Sequence, residues 1–169
     1  MADKIILNYK YLLRPTKQQR STLWNILQYC RHLYNEGLEL RSECYECAKI
    51  GLNKYDLDDY FKDRYPHVHS QVKQNVNKRL DTAFKNFFDK RSGYPKFKSR
   101  NQYRSFTYPQ SGFRLNDKRI KLSGVGEVKL VFHRPLVGKI KTGNDCGRTI
   151  LHYVDSKVDE DIIAYKNSK

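Results

Sequence analysis

"IILNYKYLLRPTKQQ", Ile5 to Gln19, changes its periodicity halfway through. Ile5, Leu7, Tyr9, Tyr11 and Leu13 alternate with Asn8, Lys10 and Arg14, the two-residue period of a strand with one apolar face. Pro15 stops that strand. Thr16 can then accept a hydrogen bond from the first turn of a helix, and Gln19, three residues later, can return one, which makes a capping box. Beyond it Leu23, Ile26, Leu27, Cys30, Leu33, Tyr34 and Leu38 recur at three and four residues, as one buried helical face requires. This helix is expected to end between Glu36 and Lys49, with Gly37 leaving the end point open.

Working outward, "IGLNKYDLDDYFKDRYP" reads as a loop and a short helix closed by Pro66, because a residue before proline avoids helical geometry. "SQVKQNVNKRLDTAFKNFF" is the clearest helix: Ser70 is the expected cap, and Val72, Val76, Leu80, Ala83, Phe84, Phe87 and Phe88 form its apolar stripe. After residue 103 the period returns to two. Arg104, Phe106 and Tyr108 stand against Ser105 and Thr107, followed by Phe113 and Leu115, Ile120 and Leu122, a Gly124–Gly126 turn, and Val128, Leu130 and Phe132. The expected class is therefore α+β: a small antiparallel sheet with the opening strand added at its edge, approaching a barrel, and the helices as a long insertion between its first and second strands.

Charge indicates the kind of partner. The chain carries 33 Lys and Arg against 18 Asp and Glu, a net +15 on 169 residues. Residues 90–141 hold 14 of those cations and only 2 acids, whereas residues 142–169 hold 4 and 5. So local an excess marks a footprint for a polyanion. Within "GYPKFKSRNQYRSFTYPQ", Lys96, Lys98, Arg100 and Arg104 can neutralise phosphates, and interleaved aromatics can stack on unpaired bases. Phe106 and Phe97 are expected instead to pack the sheet. On the third helix Gln71, Gln74, Asn75, Lys78 and Lys85 fall off the apolar stripe, and Gln, Asn and Lys are side chains that can read base edges.

Other classes find no support in the residues. No apolar run approaches the ~20 residues that span a bilayer, and the start lacks a signal-peptide pattern, so a cytoplasmic protein with reduced Cys30, Cys44, Cys47 and Cys146 is expected. Cys44 and Cys47 make a C-x-x-C, but no second pair completes a zinc site, and the five His show no ligand spacing. No cofactor, metal site or catalytic constellation is expected.

"LLRPTKQQ", "CRHLYNEGL", "SQVKQNVNKRLDTAFKNFF", "GYPKFKS", "SFTYPQSGFRL" and "HRPLVGKIKT", in this order and spacing, resemble the N-terminal part of the TnpB family, the OrfB-type transposase-associated proteins of bacterial insertion sequences. The resemblance covers Ile5 to Thr142. It implies relatives that are RNA-guided DNA nucleases akin to type V CRISPR effectors. In these a wedge barrel (here residues 1–15 and 93–142) and an inserted helical recognition lobe (16–92), by convention also called a helix-turn-helix, hold guide RNA and read a short DNA motif. It further implies that Gln74 contacts the motif, with Ser70 and Gln71 a turn earlier and Asn75 beside it. Thr107 would lie near the same duplex, Tyr55 would be a further contact, and Lys78, Lys96, Lys98, Arg100 and Arg104 would follow phosphates. The family's RuvC-like nuclease domain and its metal-binding carboxylates have no counterpart in these 169 residues, so the chain is expected to bind without cutting.

The tail departs from the family at Gly143. Codons that could encode "GNDCGRTILHYVDS" also permit, one nucleotide out of frame, the VTI and Gln-Tyr-Tyr segments that relatives carry there. Residues 143–169 are accordingly expected to be frameshifted translation, disordered or loosely paired against an exposed sheet edge at Leu130–Lys141. Three readings follow from the sequence: a catalytically silent truncated binder, a stand-alone DNA-binding regulator, or a nuclease completed by downstream sequence.

Overall fold

Ten elements make up the computed structural model, which describes residues 5–116, 118–131, 150–155 and 160–168, with side chains over 11–116 and 118–131. In chain order they are β1 (Ile5–Arg14), α1 (Lys17–Ala48), α2 (Lys54–Tyr60), α3 (Ser70–Phe88), β2 (Ser105–Tyr108), β3 (Phe113–Asn116), β4 (Arg119–Leu122), β5 (Gly126–Val131), β6 (Ile150–Asp155) and β7 (Glu160–Ser168). The class is α+β, with all three described helices between β1 and β2. The chain forms two compact units, Met1–Trp24 with Arg104–Lys169, and Asn25–Tyr103. Among the described residues no helix is long and apolar enough to cross a membrane.

The first unit is an antiparallel sheet in the order β2-β6-β7-β1-β5-β4-β3. Among the described residues it is open, with β2 and β3 at its ends. The opening strand is central, which corrects its expected place at the edge: Leu13 pairs with Leu130 of β5 on one side, and Tyr9 with Ala164 of β7 on the other. β5 is likewise paired on both sides, with β1 and β4, so its Leu130 and Val131 are no exposed edge. Residues 132–149, including Phe132, lie outside the described residues. Within the tail expected to be disordered, residues 150–155 and 160–168 form β6 and β7, which pair with each other, with β2 and with β1.

Local chemistry fixes the rest of this unit. Gly124 and Gly126 take φ of 81° and 91° in the β4–β5 turn, a region that side chains disfavour, and Val125 N–H donates to Leu122 O at 3.1 Å. The expected capping box at α1 forms: Thr16 N–H donates to Gln19 Oε1 at 3.0 Å and Gln19 N–H to Thr16 Oγ1 at 3.2 Å. Gln19 Nε2 also donates to Glu127 O at 2.8 Å, which ties the start of the helix to β5. Ile120 and Leu122, then Val128 and Leu130, are buried in the predicted alternation. β2 breaks its own pattern. Phe106, Thr107 and Tyr108 are all buried, so both faces of that strand are covered.

In the second unit α1 runs past Gly37 to Ala48, and the missing side chain at Gly37 leaves room for its neighbours. A Cβ there would sit 3.1 Å from Leu80 Cδ2 of α3 and 3.5 Å from Leu57 Cδ1 of α2. Every residue of the predicted α1 stripe is buried. α2 is capped by Asn53, whose Oδ1 accepts from Tyr55 N–H at 2.7 Å while its own N–H donates to Asp56 Oδ2 at 2.7 Å. α3 begins at its expected cap, Ser70, and is capped one residue earlier. His69 is the N-cap, its Nδ1 accepting from Gln71 N–H at 3.3 Å, and Ser70 opens the helix. At the other end Lys90 has φ 58°, Lys90 N–H donates to Phe87 O at 2.9 Å and Arg91 N–H to Asn86 O at 2.8 Å. This is a Schellman closure with lysine where glycine is usual.

Both ends of α3 give testable outcomes. Burial lowers the His69 pKa from 6.5, so protonation favours the unfolded chain; the cap contributes fully above 6.5 and is lost as pH falls through the lower folded value. As pH falls below 6.5, urea unfolding should show the wild type losing stability relative to His69→Asn, which keeps a capping acceptor that does not titrate. At Lys90, glycine removes the left-handed strain. Lys90→Gly should unfold at higher temperature by ~1 kcal/mol of stability relative to Lys90→Ala, and equal melting of the two would contradict the left-handed closure.

Candidate nucleic-acid interface

The outward side of α3 is built from a four-residue spacing. Ser70, Gln74 and Lys78 are exposed at successive turns, with Lys85 further along, while Val72, Val76, Leu80 and Phe84 are buried beneath them. At 1.5 Å per residue, Ser70 to Lys78 spans about 12 Å, close to the width of a DNA major groove. Gln71 is half-buried. Asn75 is also half-buried, and its Oδ1 is covered without a partner, so it presents less to the outside than its sequence position implies.

Lys73 lies on the same helix but serves a different end, and its sequence position gives little warning of this. It is buried, and Nζ donates to the carbonyls of Phe61, Lys62 and Arg64 at 2.9, 2.8 and 2.8 Å. Burial lowers its pKa, and Asp63 partly restores it. The ammonium thereby ties the chain that follows α2, from Phe61 to Arg64, to α3. Glu36 holds the same turn from α1, accepting from Arg64 Nη1 and Tyr65 Oη at 2.6 Å each.

The basic segment after α3 has no regular secondary structure of its own from Arg91 to Arg104, yet it is anchored. Asn35 of α1 treats Lys98 as a strand neighbour would: its Nδ2 donates to Lys98 O at 3.0 Å, and its Oδ1 accepts from Lys98 N–H at 2.8 Å. Ser99 N–H donates to Gln102 Oε1 at 3.1 Å, Pro95 is buried, and Tyr94 Oη meets Ser42 Oγ at 2.8 Å. With the backbone held from within, Lys96 and Arg100 are exposed. Lys98 is half-buried, its Nζ 5.8 Å from the centre of the Tyr34 ring. Among residues 64–104 only Asp81 and Asp89 are acidic. Arg41 takes Asp81 at 3.1 Å and Arg91 lies 3.5 Å from Asp89.

The aromatics divide differently from the sequence expectation. Phe106 is fully buried in β2, as expected, but Phe97 is 59% exposed and packs no sheet, because the segment around Lys98 is pinned to α1 rather than paired as a strand. Phe88 and Tyr94 are also exposed. Tyr55 stands out on α2, 67% exposed, with Lys54 Nζ 3.6 Å over its ring. In the first unit Thr107 is buried at 6% and Arg104 precedes β2 with its side chain exposed. Cys44 is half-buried and Cys47 exposed on α1, while burial pushes the Cys30 thiol up to about 12, so it stays protonated within the core.

Residues 1–49 match a helix-turn-helix domain of the OrfB/IS605 type; here that span folds as one strand and one uninterrupted helix. The chain is 30% identical over 161 residues to the Escherichia coli (strain K12) protein named "Putative RNA-guided DNA endonuclease InsQ", covering 83% of this chain and 38% of that one. It is 30% identical over 146 residues to a like-named protein of Streptomyces pristinaespiralis, covering 80% and 36%. The chain thus spans less than two fifths of the curated relatives it matches. Its fold resembles a chain of the Cas12f1-sgRNA-target DNA complex, with a TM-score of 0.51 at 11% identity over 98% of this chain and 49% of that one. Together these matches support a TnpB-family N-terminal part of the OrfB insertion-sequence type.

Proposed function

We propose that the chain recognises nucleic acid as the N-terminal region of a TnpB-type RNA-guided endonuclease, and that these 169 residues bind without cutting. The observation that carries this reading is the exposed row Ser70, Gln74 and Lys78 on α3, in the same unit as a basic segment held at the Lys98 backbone by Asn35. In this reading Gln74 touches base edges of a target-adjacent DNA motif, with Ser70 and Gln71 at the start of the helix and Asn75 in support. Lys78, Lys96, Lys98 and Arg100 follow phosphates of DNA or of a guide RNA. Tyr55, Thr107 and Arg104 are proposed as further contacts. The open sheet is proposed as the counterpart of the family's wedge barrel.

A second reading, a DNA-binding regulator without a nuclease, is favoured by one feature: β6 and β7 lie in the tail and pair with β1 and β2. A tail that folds as part of the protein is what a working regulator requires.

Binding to a randomised duplex pool, followed by titration of the selected motif, tests the first reading. Gln74→Ala should lose ~1–3 kcal/mol on the motif and little elsewhere. Joint substitution of Lys96, Lys98 and Arg100 by Ala should weaken every sequence alike and reduce the salt slope by roughly one for each phosphate no longer neutralised. Equal loss on all sequences from Gln74→Ala would remove α3 as the reader. Sequencing the gene onward from the Gly138 codon separates the two readings, since an offset frame that resumes with VTI and Gln-Tyr-Tyr and reaches nuclease carboxylates would eliminate the regulator.

A further inference from the structure

Four rings meet where α3 ends. Phe87 lies 5.4 Å from Phe88 and 5.3 Å, edge-on, from Tyr94. Phe84 stands edge-on to Tyr94 at 5.6 Å and stacks at 6.3 Å with Phe88. Phe84 is buried and carries the Arg41 guanidinium 4.1 Å over its ring. Its two neighbours are not covered: Phe88 is 70% exposed and Tyr94 47%. Tyr94 is oriented by the hydroxyl pair with Ser42, and Phe88 by the rings of Phe84 and Phe87. Grouped exposed rings on a folded protein mark a place of contact.

Charge selects the occupant. Lys85, Lys90, Arg91 and Lys96 are exposed in the same stretch of chain, and Asp89 is the only acid between residues 82 and 104. Fixed aromatic faces among cations are what single-stranded nucleic acid binds, bases stacking on the rings while the backbone follows the charge. A duplex keeps its base faces stacked; loops and ends of RNA present theirs without the cost of melting. We propose that Phe88 and Tyr94 form a stacking platform for an unpaired RNA base, with Lys85, Lys90, Arg91 and Lys96 holding the flanking phosphates. The platform rests on the nucleic-acid reading above but is separate from the α3 row proposed to read duplex.

A short oligouridine carrying one 2-aminopurine tests it, because stacking quenches that base. The full chain should bind the strand and quench it. Phe88→Ala should weaken binding roughly 5- to 150-fold and abolish the quench, while leaving binding to the selected DNA duplex and the melting temperature unchanged. Phe88→Trp should restore both signals, whereas Phe88→Leu, apolar without a π face, should not. Full binding by the Ala or Leu variant would overturn the platform. So would a loss confined to the matching oligothymidine, which would assign the rings to single-stranded DNA. If the wild type binds duplex but no RNA strand, the platform falls and the nucleic-acid reading stands; if it binds neither, both fall.

Discussion

The side-chain amide of Asn35 makes two hydrogen bonds to the backbone of Lys98, and they hold the basic segment against α1. A segment this rich in cations repels itself and has no ladder to satisfy its peptide groups. Each backbone bond supplied from α1 removes a reason for the segment to unfold into water, and leaves the charged side chains directed outward. The same economy of polar groups holds the turn before α3, where one buried ammonium serves three carbonyls.

Cations in this protein therefore fall into two sets that composition alone merges. Lys73, Arg41 and Arg64 have partners inside the unit: carbonyls, Asp81 with the Phe84 ring, and Glu36 with the Tyr60 ring. Lys78, Lys85, Lys90 and Lys96 are exposed and flank the two surfaces of interest. Net charge measures their sum, but a cation engaged inside the unit is less able than an exposed one to release counterions from a phosphate backbone.

What was legible in the sequence was what depends on neighbours in the chain. The Thr16–Gln19 box, the α1 stripe and the Gly124–Gly126 turn follow from spacings of two to four residues, and the structure reproduces them. The misplacements share one cause, a partner distant in sequence. β1 reads as an edge strand until β7 pairs with it, and the end of α1, left open at Gly37, is found at Ala48 within the expected range. Phe97 is expected to pack the sheet, yet it stands exposed in a segment that is bonded to Asn35 of α1 at Lys98 and forms no strand. Thr107 looks like the solvent side of β2, and burial on both faces of that strand overrides the alternation. At the candidate site the exposed α3 row was readable from period alone, whereas Lys73 and the Phe88–Tyr94 pair were not, because their roles are decided by tertiary contacts.

The two surfaces of the second unit share one rigid support. Gln74 sits in the first half of α3 and Phe88 at its last turn, and the Lys90 closure reverses the chain so that Tyr94 returns against Phe84 and Phe87. In the proposed reading one uninterrupted helix would carry both the polar row and the rings at its C-terminus. Lys90, in the left-handed region, is where the backbone after α3 carries strain. Strain there costs stability but places a cation beside the rings, where a glycine would satisfy the backbone and supply no charge.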